Sequence, residues 1–484
     1  MIRPYLRLLS LLVGGQIAGC TRDYPATAPY TIAVPVAPPR SGGGANGEPD
    51  KEPVAPPKQL FLTNQKVRMG IDLNSGGAIT YLSEAGSTIN MVNIPDLGRQ
   101  IQTALYGGPN PYSQNGKKPV DYWRNLGWNP VQTGDYYNHP SRIISYQQGE
   151  NTLYVKSVPL VWPLFDELAE CMFEHWYELR DNVVHVRCHV TVYRSDTTHY
   201  EARTQEMPCV YLNGPYYRIV SYVGTKPFTN DAVSEFIDGG NWYYRHSSEN
   251  WTALLNDQGR GLGLYRPGEV RFGSAKFGVG RTGGEYDLDS GYMNTQPFLV
   301  IDHNGEYDYE YSLILGSVSD IRQYVYSQPR PAKYPDYRFV NDRLGWYYRN
   351  TRDTGWPIQN ELTVHWERDS LHKVGFHIAS PMTAWYAADV PRIYIQAAFQ
   401  TKATSARFFW LKPEEHTEIT EAPGRYVDFP IVGDGQFRTY EINTSQLGGW
   451  NGLIAQIALT SPESQATNGA GSMVRIRSVT TTPP

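Results

Sequence analysis

Between Cys171 and Val192 apolar and polar residues alternate almost without interruption, and the run is broken only at Asp181-Asn182. A period of two marks a half-buried strand, and a two-residue polar break between two such runs marks a tight hairpin. Pairing Arg180 with Val183 places Cys171, Phe173, Tyr177 and Leu179 on one face with Val184, Val186, Cys188, Val190 and Val192. That face is the core. His175 falls on it, opposite Cys188, and is read as a hydrogen-bonded core histidine. A slip of one residue would mix the two faces, so the register is well specified. In this register Cys171 and Cys188 stand several pairs apart and do not bridge each other.

The rest of the chain follows the same grammar. With 45 Gly, 35 Pro and 36 Tyr in 484 residues, it suits short strands and turns better than long helices. Thr152 to Val158 alternates as a half-buried strand, and Phe298 to Ile301 is an unbroken apolar run of the kind buried on both faces. Gly259-Arg260-Gly261-Leu262-Gly263 leads into another strand-like run, so it reads as a hairpin turn and not as a phosphate cradle. The chain is therefore expected to be all-β. A formal charge of −5 offers no basic field for nucleic acid.

The first twenty residues read as a secretory signal: Arg3 and Arg7 precede the apolar run Leu8 to Val13, which is too short to span a bilayer. Ile17-Ala18-Gly19-Cys20 resembles the bacterial lipobox, which implies acylation of Cys20 and, with Thr21 following, an outer-membrane anchor. Residues 21–58 are rich in Pro, Gly and Ala and read as a flexible tether. With Cys20 lipidated, Cys171, Cys188 and Cys209 remain, enough for one disulfide at most. No metal or cofactor motif is present.

Four groups of residues could carry chemistry. The polar face of the hairpin pairs Glu178 with His185, Trp176 with Arg187 and Glu174 with His189, which would suit a sugar-binding floor or an ordinary solvated sheet face. The Gly/Pro-rich connections hold Asp96, Arg99 and Gln102, then Trp128, Asn129 and Asp135, as loop-borne binding groups or as turn caps. Glu206 precedes Met207-Pro208, where an extended backbone could aim its carboxylate into a cleft. No nucleophile-elbow motif occurs.

Gly76-Gly77-Ala78-Ile79, Asn93 and Asp96-Leu97-Gly98-Arg99-Gln100-Ile101-Gln102 together resemble the opening of the galactose-mutarotase-like supersandwich, over about residues 59–328. That resemblance implies two large antiparallel sheets packed face to face, with carbohydrate on the concave one. Phe408-Phe409-Trp410, Val427 to Pro430, Gly433 to Gly435, Tyr440 to Ile442 and Trp450 to Ile454 resemble a jelly-roll module of surface carbohydrate-active proteins. The expected layout is a supersandwich over 59–335 and a smaller jelly-roll β-sandwich over 345–484.

The expected function is a lipid-anchored carbohydrate-active protein that hydrolyses a polysaccharide or oligosaccharide with paired carboxylates. Glu174, Glu178, Glu206, Asp96 and Asp135 are the candidate acids and bases. Arg99, Gln102, Trp128, Asn129, Trp176, His185, Arg187 and His189 are the candidate sugar contacts. The alternatives are a glycan-binding lipoprotein without catalysis and a polysaccharide lyase. A single cleft is expected, in which the loops converge over the hairpin's polar face.

Overall fold

The computed structural model of the chain describes residues 50–236, 243–278, 281–330, 335–349, 352–353, 356–366, 377–416, 418–460 and 472–484. The signal segment, the lipobox with Cys20 and most of the tether lie outside them. The tether's last residues do not behave as a tether. Glu52 donates its amide to Tyr137 O, Lys51 stands 3.7 Å from the centre of the Tyr136 ring, and Lys58 N–H donates to Asp72 Oδ1. Polar capping thus lays 51–58 along the first domain despite its proline content.

The chain is all-β, as its pattern requires. A ten-stranded sheet runs Gln59–Thr63, Val67–Asp72, Ala78–Glu84, Ile101–Ala104, Glu206–Asn213, Ser290–Thr295, Arg271–Phe277 and Tyr243–His246, with Pro130–Val131 and Leu160–Val161 branching from it. A nine-stranded sheet carries the Cys171–Arg180 and Val183–Val192 hairpin, flanked by Thr152–Val158 and Glu306–Gly316. Every expected hairpin pair is present, from Arg180 opposite Val183 to Cys171 opposite Val192. Phe173, Val184, Val186 and Val190 meet Met69, Met207, Val210 and Met293 of the other sheet in one core. The inner faces of the two sheets therefore face each other, and each sheet keeps an outer face of its own.

His175 is buried in that core, its Nε2 3.1 Å from Thr103 Oγ1, and burial lowers its pKa to about 3. Cys171, Cys188 and Cys209 are buried free thiols. The 259–263 turn joins Trp251–Leu255 to Gly261–Tyr265 as a hairpin. Two expectations need correction. Phe298–Leu299 is a strand of only two residues, paired with Arg203–Thr204; its apolar run serves a junction instead of a sheet interior. One helix, Val318–Ser327, was not legible, because only Ile321, Arg322 and Val325 are buried on it; Ser317 and Asp320 close a reciprocal cap at its start.

After Tyr337 the described strands build sheets of their own: a six-stranded sheet around Met473–Thr480 and Ile393–Gln400, and a five-stranded sheet around Gln456–Thr460 and Ser405–Leu411. Ile395, Ile476 and Val364 of one meet Phe408, Ile457 and Ile378 of the other. That core continues into Ala202, Val270, Phe298 and Val300 of the first sandwich, where Phe298 meets Tyr347 edge-to-face at 4.8 Å. Beside this seam Arg343 grips Asp302 through two hydrogen bonds of 2.9 Å, both residues being buried.

Candidate functional site

The outer face of the ten-stranded sheet holds a pocket, and the loops between strands wall it. Its floor is Gln102, Ala104, Glu206, Tyr211 and Phe277; Asp96, Arg99, Trp123, Asn129 and Trp162 stand among its walls. Strand parity explains the floor. Val210 and Leu212 point into the core while Cys209 and Tyr211 point out, with Tyr292 level with Tyr211 on the next strand. A shift of register between Glu206 and Cys209 turns Met207 inward and leaves Glu206 on the outer face.

Glu206 is the chemical centre of this pocket. It is 6% exposed, and each carboxylate oxygen accepts from a phenol: Oε1 from Tyr292 and Oε2 from Tyr106, the latter at 3.2 Å. Burial raises its pKa above the ordinary carboxyl value, and the two phenols work against that rise. No basic side chain among the described residues donates to it.

Arg99 is set by its own loop. The segment before it is stapled to the floor strand, Asn93 N–H donating to Tyr211 O and Tyr211 N–H to Gln100 O. The guanidinium lies 5.9 Å from the Tyr211 ring centre and 5.7 Å from that of Phe277. Its three hydrogen bonds, to Asn93 Oδ1, Leu288 O and Ser290 Oγ, all leave from Nη1. Among the described residues no acceptor takes Nε or Nη2, which leaves them to a hydroxyl or an anion. Asp96 caps the turn below, accepting from Gly98 N–H at 2.8 Å. A side chain at Gly98 would reach within 2.8 Å of the Trp162 ring, so only glycine lets that indole close the wall.

Gln102 and Asn129 line the pocket, but their amides hold backbone. Gln102 Nε2 donates to Arg99 O at 2.7 Å and Asn129 Nδ2 to Leu105 O at 2.8 Å. They shape the walls and have less to offer a ligand. Trp123, Trp162, Tyr106, Tyr211, Tyr292 and Phe277 were missed as site residues. A signal existed for two of them: Tyr211 and Tyr292 are out of phase with the core positions of their strands.

Several expectations are corrected. Asp135 is fully buried and saturated: it accepts from the amides of Tyr137, His139 and Asp166 and from His139 Nδ1 at 2.8 Å. It caps its loop. Trp128 is 1% exposed, packed beside Gly107 and Gly108, and offers no open ring. Above all, the single cleft does not form. Glu174, Trp176, Glu178, His185, Arg187 and His189 lie on the outer face of the nine-stranded sheet, across the whole sandwich from Glu206. Their partners there are local: Glu174 pairs with Lys156 at 2.9 Å, Glu178 with Arg180, His189 with Asp308 at 2.8 Å, His185 with Glu310 at 3.8 Å, and Arg187 covers the Trp176 ring at 5.0 Å. Neighbouring charges on the outer face of a sheet settle into such pairs.

No protein-family model matches the chain, and no curated protein sequence matches it. Among solved structures it is similar to a putative aldose 1-epimerase from Escherichia coli K12, at 10% identity and TM-score 0.34 over 53% of this chain and 98% of that one. A galactose mutarotase-like protein from Lactobacillus casei gives 11% and 0.35 over 53% and 100%. A 4-alpha-glucanotransferase from Thermococcus litoralis gives 12% and 0.31 over 55% and 40%. Likeness at this level fixes neither substrate nor residue roles, so the pocket itself must carry the chemistry.

Proposed function

We propose that the protein is carbohydrate-active, with the Glu206 pocket as its sugar site. The observation that carries this reading is a buried carboxyl held by two phenols, with no basic partner among the described residues, at the floor of an aromatic-walled pocket beside the Arg99 guanidinium. Aromatic rings receive the apolar face of a pyranose, and Arg99 and the phenols meet its hydroxyls. A carboxyl whose pKa burial has raised stays protonated nearer neutral pH, as a general acid toward a glycosidic oxygen must. Asp96 is the other carboxylate lining the pocket and is the partner this reading names for hydrolysis.

The test is reducing-end release from a panel of polysaccharides, run beside calorimetric sugar binding. Glu206→Gln should abolish turnover and spare binding, Arg99→Ala should weaken binding, and Trp176→Ala should change neither. Binding lost in Trp176→Ala but kept in Arg99→Ala would move the site back to the hairpin and end this reading.

Binding without catalysis is favoured by one observation: both Glu206 oxygens and Asp96 Oδ1 already hold partners within the protein. Saturable sugar binding with no product from any polymer would decide for it.

Anchoring belongs to the same proposal. The 1–20 signal and Cys20 would place the two sandwiches on the outer membrane, and the second sandwich would serve as a carbohydrate-binding module. Cys20→Ser should move the protein from the detergent-extracted membrane fraction to the soluble one; unchanged retention would refute the anchor.

A further inference from the structure

Residues 108–127 leave the ten-stranded sheet and return to it, and a pair of backbone hydrogen bonds of 2.8 Å between Gly107 and Trp128 closes the excursion at its base. A connection this long inside a compact domain is ordinarily functional. This one supplies two walls of the Glu206 pocket, Trp123 and Leu126. Trp123 N–H donates to Val120 O and Leu126 N–H to Trp123 O, so both walls belong to one turn.

One side chain fastens that turn. Arg203 Nη1 donates to Leu126 O at 2.8 Å, to Asn110 Oδ1 at 3.3 Å and to Gly107 O at 3.4 Å, and Nη2 donates to Asn125 O at 3.1 Å. Residues 107 and 110 begin the loop, and 125 and 126 end it. A planar guanidinium can span both ends at once, where a compact ammonium cannot. Gly127 makes the room: its φ is +72°, and a Cβ there would collide with Gly107 O and Arg203 Nη1.

Arg203 stands three residues before Glu206, and the stretch between them holds Tyr106. Gln205, with no exposed surface, accepts from Tyr106 N–H at 2.7 Å and donates to Tyr106 O at 2.9 Å, while the Tyr106 hydroxyl donates to Glu206. The Arg203 guanidinium lies 5.9 Å from the Tyr106 ring centre. The tip of the loop is anchored separately. Gln114 Nε2 and Asn115 Nδ2 donate to Glu167 Oε1 at 2.9 and 2.7 Å, and Lys117 Nζ stands 2.7 Å from Oε2. Losing Arg203 would therefore loosen the wall without releasing the loop.

We propose that Arg203 is a positioning residue of the Glu206 pocket, fixing the Trp123 and Leu126 wall and Tyr106 over the carboxyl and so setting how tightly a sugar is held. It acts through the loop and touches no ligand. This rests on the sugar reading of the pocket. Walls fixed in advance have little freedom left to lose on binding, and a wall loose by about 1 Å forfeits affinity.

The test compares the parent with Arg203→Met, with Gly127→Ala and with Arg124→Ala, a control that removes an exposed side chain from the same loop. In calorimetry with glucose, galactose and galacturonic acid, affinity for the best-bound sugar should fall about tenfold in the first two variants and stay unchanged in the control. Arg203→Lys, which keeps the charge but not the fork, should fall between. Carbon-13 titration of Glu206 adds a readout that needs no sugar. With the wall loosened, water reaches the carboxyl, and its pKa should fall toward the ordinary carboxyl value. A Glu206 that titrates as in the parent or higher, or affinities within about twofold of the parent's in both variants, overturns the role of Arg203 while the pocket stands. A parent that binds none of the three sugars overturns the sugar reading instead, and the titration still decides whether Arg203 holds the wall.

Discussion

The Tyr292 hydroxyl reaches from the neighbouring strand to donate to Glu206 Oε1, and Tyr106 holds the other oxygen. A donor on a carboxylate stabilises its charged form, so these phenols oppose the burial that raises the Glu206 pKa. Tyr292→Phe removes one of them. The Glu206 pKa should then rise further, by about one pH unit for a hydrogen bond to a charged group. Carbon-13 titration of glutamate-labelled protein reads this directly, and a value that falls or stays put would show that the phenol does not act on the carboxyl.

Glu269 gives a stability prediction with a definite sign. It is 1% exposed, accepts from the amides of Val270 and Arg271 on Oε1, and has Arg266 Nη1 3.9 Å from Oε2. Burial pushes its carboxyl up to about 8. A raised acid contributes its stability below its unfolded pKa and loses it as pH rises through the folded one, here between about 4.5 and 8. The difference in stability between the parent and Glu269→Gln should therefore move in favour of the variant across that window. Denaturant midpoints at pH 5 and pH 8.5 measure it, and parallel curves would contradict the assignment.

The hairpin faces can be tested by one pair of variants. Val186 has no exposed surface, whereas His185 on the adjacent position is only partly buried. Val186→Asp buries an unpaired charge and should cost about 3–5 kcal/mol. His185→Asn should melt near the parent. Equal melting of all three proteins would mean that the faces are assigned the wrong way round.

Across the seam, Arg343→Ala takes two hydrogen bonds from the buried Asp302 carboxylate, at a cost of about 3–5 kcal/mol. Calorimetry of the parent should show one transition, because the two cores are continuous, and the variant should show two. Adding Asp302→Asn should restore part of the loss. If the single variant keeps one unshifted transition, the ion pair does not couple the sandwiches.

The hairpin was legible because a strict two-residue period fixes both register and face from local sequence alone. Glu206 could be placed on a strand for a similar reason, since its neighbour precedes a proline. Its phenols could not be assigned to it: Tyr106 and Tyr292 lie 100 and 86 residues away in the chain. They meet Glu206 because the 206–213 strand runs between 101–104 and 290–295, and strand order is a property of the whole sheet. The same limit explains the misplaced cleft. Alternation says that Glu174 and Trp176 point away from the core, but it does not say whether loops will close over that face or leave it bare. Asp135 and Trp128 were ambiguous for another reason, because a loop aspartate that caps its own backbone carries the same local signature as one that binds a ligand.

The edge-to-face meeting of Phe298 and Tyr347 has a bearing on ancestry and on cutting. A fragment ending near Gln328 would leave Ala202, Val270, Phe298 and Val300 bare to water, a sticky patch that invites aggregation. The rear module cannot be traded for a foreign one unless the newcomer brings a matching apolar surface and an arginine for Asp302. Shuffling by recombination would thus favour inheriting the two sandwiches as one piece.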